Sequence, residues 1–145
     1  MTVKQALKLK NKLVKEINEE LQKAHSYNSV EVNSVRPYSS AQSLENTSRL
    51  TNELIELKTK IHLANSPVYD KIFRLSELKS LVSKIKSLNC TEGTSVDYYS
   101  RRSENPPVMT AEISILERDS MVKIMEDEIE SLQEELDTHN ALTQI

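Results

Sequence analysis

The densest chemistry in this chain of 145 residues lies in Tyr98-Tyr99-Ser100-Arg101-Arg102-Ser103-Glu104-Asn105-Pro106-Pro107. The stretch gathers phenols, fixed cations, hydroxyls and a carboxylate in a segment that its closing Asn-Pro-Pro keeps from being helical. Arg guanidinium groups take phosphate or carboxylate through two parallel hydrogen bonds, and Tyr rings stack on bases or on guanidinium planes. Tyr98, Tyr99, Ser100, Arg101, Arg102, Ser103 and Glu104 are therefore candidate contacts for an anionic, nucleotide-like small molecule, with Arg36 and Tyr38 as second-rank candidates. The alternative is structural: Arg101 and Arg102 would close helix C-termini or pair with Glu104 and Asp97.

Other reactive side chains lack the neighbours that catalysis requires. His25, His62 and His139 fall on three separate segments, and none has a second His three or four residues away to share a metal. Cys90 has no base indicated by sequence and reads as an inert thiol. Glu126, Glu130 and Glu134 share one helical face, but a di-iron bundle needs Glu-x-x-His pairs on two helices, and there are none. The single Gly93 excludes a glycine-rich phosphate loop. The expectation is a non-enzymatic protein without metal or other cofactor.

Four amphipathic segments must position this loop. Thr2 and Gln5 form a capping box, and Val3, Leu7, Lys10, Val14, Ile17, Leu21 and Ala24 follow at alternating spacings of four and three, with Lys10 out of pattern. Ser39 and Gln42 open a second helix with the stripe Leu50, Leu54, Leu57, Ile61 and Ala64. Asn65-Ser66-Pro67 reads as a junction, with Asn in a left-handed C-terminal position, Ser as N-cap and Pro in the first turn. The third helix carries Ile72, Leu75, Leu78, Leu81, Val82, Ile85 and Leu88. Thr110 caps the fourth, with Glu112 in its first turn, and Ile113, Leu116, Met121, Ile124, Met125, Ile129, Leu132 and Leu136 continue it. From Ala111 to Leu142 that helix is about 48 Å long at 1.5 Å per residue.

The two long connections, near 26–38 and 89–109, contain alternating Val30-Glu31-Val32 and Val96-Asp97-Tyr98, each a short strand in prospect. An up-down order brings both connections to one end, where Arg36 and Tyr38 join the Tyr98–Arg102 loop. The fold expected is all-α: a four-helix up-down bundle with a long C-terminal helix, strand-like pieces confined to the connections, and one domain over residues 1–145.

Composition sets the outer bounds. One Gly, one Phe and no Trp, with a net charge of -3, suit a helical bundle or coiled coil with modest monomeric burial. Self-association is expected, through the fourth helix, because its apolar stripe drifts around the helix. The acidic balance and the absence of aromatics among the lysines argue against nucleic acid. No stretch approaches the roughly 20 apolar residues that span a bilayer, and the first residues lack an apolar signal core, so a cytoplasmic location without membrane binding is expected. Charge is unevenly spread: the first and third helices are basic, and from Glu126 to Asp137 there are seven acids and no base. The simplest pairing sets the basic first helix beside the acidic end of the fourth.

Tyr99-Ser100-Arg101 and Ser103-Glu104 resemble the Tyr-Ser-Arg-Ser-Glu signature of the septicolysin-like family of small bacterial helical proteins, with Arg102 counted as an insertion. Ile61 with Asn65, and Asn140-Ala141-Leu142-Thr143-Gln144-Ile145 against an Asn-Trp-x-Thr-Glu-Leu ending, extend the resemblance, as does the order of helices. The chain departs from the pattern at Arg102, at Asn105-Pro106-Pro107 and at Ala141. The family name implies a pore-forming toxin, although its members mostly lack an established activity, and no lipid-ready helix supports lysis here. Three functions follow: an oligomeric bundle that binds or sequesters an anionic nucleotide-derived signal, an adaptor whose long helix docks a partner helix, and a membrane-acting protein.

Overall fold

Helix α1 (Val3–Tyr27) starts where the sequence says it should. Thr2 Oγ1 accepts from the Gln5 backbone at 3.3 Å while Gln5 Oε1 accepts from the Thr2 backbone at 2.9 Å, a complete capping box. Helix α2 (Ser40–Asn65) is capped by Ser39, whose hydroxyl accepts from Gln42 N at 3.2 Å. A 3-10 turn over Ser66–Val68 leads to α3 (Tyr69–Lys86). The short strands β1 (Gly93–Thr94) and β2 (Val108–Met109) pair antiparallel, and α4 (Ile115–Leu142) follows. The computed structural model describes residues 1–94 and 105–145. The chain is mostly helical with one two-stranded sheet among those residues.

Several local expectations are corrected. Asn65 is right-handed (φ -84°, ψ -7°), so the helical sense continues into the 3-10 turn. Pro67 is tolerated there because a first-turn N–H has no intrahelical acceptor. Val30-Glu31-Val32 is not a strand: it pairs with nothing among the described residues, and Asn33 at φ 66° turns the chain, with Ser34 Oγ donating to Glu31 O at 2.7 Å. Helix α4 begins four residues later than Thr110 and Glu112 suggest. Ser114 and Glu117 form the capping box, at 3.1 and 2.8 Å, while Val108–Met109 is held extended by its pairing with Gly93–Thr94. The second expected strand, Val96-Asp97-Tyr98, lies outside the described residues.

Contacts divide the chain into two compact units, Met1–Tyr69 with Asp137–Ile145, and Asp70–Leu136. In the first, α1 and α2 lie antiparallel: Ser40 Oγ donates to Ala24 O at 3.1 Å and Asn46 reaches Glu20 at 3.4 Å near the connection, while Ala6, Leu13, Leu50, Leu54, Leu57 and Ile61 form the core. The α2 stripe is the one read from the sequence. The α1 stripe holds in part: Val3 and Ala24 are buried and Leu7 and Ile17 pack on the core, but Ala6 and Leu13 are buried where Val14 and Leu21 were expected, and those two are exposed. Two apolar rows run side by side on α1, and contact with α2 selects between them. Ile145 packs on this core, and Val3 N donates to Thr143 O and Ile145 N to Met1 O, both at 2.9 Å.

In the second unit α3 and α4 are antiparallel. Lys71 pairs with Glu135 at one end and Lys86 with Glu126 at the other, where Arg118 also donates to Leu88 O at 3.4 Å. Leu75, Val82, Val122, Leu132 and Leu136 are buried. The acids at 126, 128 and 135 therefore answer α3, where the charge pattern suggested the first helix. The α1 lysines at 12, 15 and 23 pair within their own helix, with Glu16, Glu19 and Glu20. Helix-surface geometry favours such i,i+3 and i,i+4 partners.

Candidate functional site

Of the residues expected to hold a ligand, Tyr98, Tyr99, Ser100, Arg101, Arg102, Ser103 and Glu104 lie outside the described residues. Arg36 and Tyr38 are described, and they sit together where α1 ends and α2 begins. Arg36 Nε donates to Tyr27 O at 3.0 Å and Nη2 to Asn28 O at 3.2 Å. Those carbonyls belong to the last turn of α1, where acceptors lack helical donors and the dipole is negative. Arg36 is thus a C-terminal cap, the structural role weighed for the loop arginines.

Tyr38 has a different setting. Its ring lies 5.6 Å from that of Tyr27, tilted by 44°, and Lys23 Nζ stands 5.2 Å from its centroid. Lys23 also bonds Glu20 at 2.8 Å, and Glu20 accepts from Asn46 of α2. The hydrogen bond from Lys23, with a smaller one from Asn46, holds the Glu20 carboxyl below its ordinary range, and the same bond raises Lys23. A shallow hollow of about 350 Å³ lined by Asn28, Arg36, Tyr38, Ser39, Ser40 and Ala41 adjoins this cluster. Lys23, Tyr27 and Glu20 were missed in the sequence, although their i,i+3 and i,i+4 spacing on one helix face is a readable signal.

The remaining chemistry-bearing groups are dispersed. The Tyr69 hydroxyl bonds His62 Nδ1 and donates to His62 O at 2.7 Å, and Thr143 Oγ1 meets His139 Nδ1 at 3.1 Å. Cys90 is a half-buried free thiol. Among the described residues no group of three or more His, Cys, Asp or Glu is gathered to hold a metal, and no helix is long and apolar enough to cross a membrane.

What the described surface does display is uncovered apolar area. Leu21 and Leu44 flank a hollow of about 330 Å³ at the α1–α2 end, and Leu78 and Leu81 line a groove of similar volume on α3 with Arg74, Glu77 and Lys84. Set against known proteins, the chain matches no family model, no curated protein and no solved structure. The resemblance at residues 99–104 accordingly rests on the motif itself.

Proposed function

We propose that the chain is a non-enzymatic helical docking protein whose two hairpins present apolar faces to partner helices. The observation that carries this reading is the row of exposed Leu, Ile and Met side chains on both hairpins, including Leu21, Leu44, Leu81, Leu88, Met121 and Ile124. Uncovered apolar rows flanked by charges are the anatomy of helix-docking surfaces. The up-down order of the four helices belongs to the same proposal, with α1–α2 and α3–α4 as its antiparallel pairs.

Cross-linking in cells followed by mass spectrometry tests it. Leu44→Glu and Ile124→Glu each change an exposed side chain, so helical content should be unchanged while protein cross-links, to itself or to another chain, are lost. An identical cross-link pattern for wild type and both variants would overturn the reading. A second reading, binding of an anionic nucleotide-like molecule through Tyr98–Glu104, is supported by the Tyr/Arg composition of that loop. Calorimetric titration with nucleotides and cyclic dinucleotides tests it. Arg101→Ala and Arg102→Ala should each weaken binding roughly ten- to a hundredfold, and wild-type affinity in both would exclude the loop.

A further inference from the structure

On one side of the α3–α4 hairpin, ion pairs close half of the seam and leave the other half open. Lys71–Glu135 and Arg74–Glu128 mark that side. Four, seven and eleven residues on from Arg74 come Leu78, Leu81 and Ile85, in the same helical row, and Leu88 follows just beyond the end of α3. Four and seven residues back from Glu128 come Ile124 and Met121. The helices are antiparallel, so both rows run the same way from the ion pairs and share one face. Leu81 is 42% exposed, Leu88 44%, Met121 42% and Ile124 70%. On the opposite side the same stretch is sealed by Lys86–Glu126.

The charges bordering this face are arranged about its centre. Glu77 precedes Leu81 by four residues and Lys84 follows it by three, and all three line the same groove. Neither Glu77 nor Lys84 has an ion-pair partner among the described residues. An acid four residues before and a base three residues after an apolar midpoint are close to self-complementary under twofold symmetry, where residue i meets j and j meets i. We infer that this face docks a second copy of the chain, α3 crossing its counterpart antiparallel at Leu81, with Glu77 of each protomer on Lys84 of the other. Met121 and Ile124 flank the crossing.

This inference rests on the docking reading above and names its partner for one hairpin.

Sedimentation of the full chain at micromolar concentration tests it. Wild type should sediment as a dimer of the 16.6 kDa chain. Leu81→Glu should raise the dissociation constant at least about thirtyfold with unchanged helical content. Lys84→Glu should raise it roughly three- to tenfold, and Glu77→Lys with Lys84→Glu should restore it, because the exchange rebuilds both pairs across the axis. A foreign partner surface gives no such restoration. A monomeric wild type overturns the twofold assignment, and docking itself then stands or falls by the cross-links. A dimer indifferent to Leu81→Glu and broken by Leu44→Glu likewise overturns it, while leaving helix docking in place.

Discussion

Where α1 meets α2, the seam is a continuous apolar core of Ala6, Leu13, Leu50, Leu54, Leu57 and Ile61, and the nearby ion pairs at 12–16, 15–19 and 49–53 stay within one helix. Where α3 meets α4, Leu75, Val82, Val122, Leu132 and Leu136 are buried, and Lys71–Glu135, Arg74–Glu128 and Lys86–Glu126 cross the seam. Apolar packing discriminates by shape and volume and is insensitive to salt. Ion pairs across a half-exposed seam discriminate by sign and register, contribute little each, and weaken as salt rises. The first hairpin is held by its core. The second is aligned by its charges, which leaves part of its apolar surface for another occupant.

The sharpest way to break this contrast is to cut each core. Leu57→Ala should destabilise the first unit by about 2–5 kcal/mol through lost transfer energy and a cavity. Val82→Ala removes two methyl-sized groups from a smaller core and should cost about 1–2 kcal/mol. Hydrogen exchange with mass spectrometry reads the two units separately, and equal loss of protection in both would show that they unfold as one.

Next in size is the cap. Arg36→Ala frees the carbonyls of Tyr27 and Asn28 and should cost about 0.5–1 kcal/mol. The lowered melting temperature should be independent of added nucleotide. A change in ligand affinity without a change in melting temperature would reverse the assignment of Arg36 as a cap.

Smaller still is the response to salt. Raising ionic strength from about 0.1 M to about 1 M shortens the Debye length from about 10 Å to about 3 Å. Protection of α3 and α4 amides should fall, and that of α1 and α2 should hold. Glu128→Gln should remove part of that salt dependence, since a neutral amide keeps the hydrogen bond to Arg74 without the charge.

The smallest effect concerns pH in the first unit. Glu20 lies below its ordinary value of 4.5 in the folded chain, so its contribution is complete above 4.5 and is lost as pH falls through the lowered value. Lys23 lies above 10.5, so its contribution is complete below 10.5 and is lost as pH climbs through the raised value. Thermal melts of wild type and Glu20→Gln from pH 3 to pH 6 should converge at the acid end. Parallel curves over that range would remove the Lys23–Glu20 bond from the account.

Local signals decided the helices and the starts of α1 and α2. The capping residues Thr2, Gln5 and Ser39 satisfy donors three residues away, and the Leu50–Ile61 stripe follows helical spacing, so neighbours in sequence carry both pieces of information. Ser114 and Glu117 carry the same kind of signal for α4, but the sequence reading placed the start at Thr110 with Glu112 instead. Tertiary contact alone decided which of two adjacent apolar rows on α1 is buried, because Leu13 and Val14 differ only in which one faces α2. It also decided that the acids of α4 answer α3, and that Arg36 is spent on the end of α1. A sequence shows which charges exist and at what helical spacing. The partner of each depends on which surfaces the folded chain brings within a few ångströms, and that distance is a property of the fold.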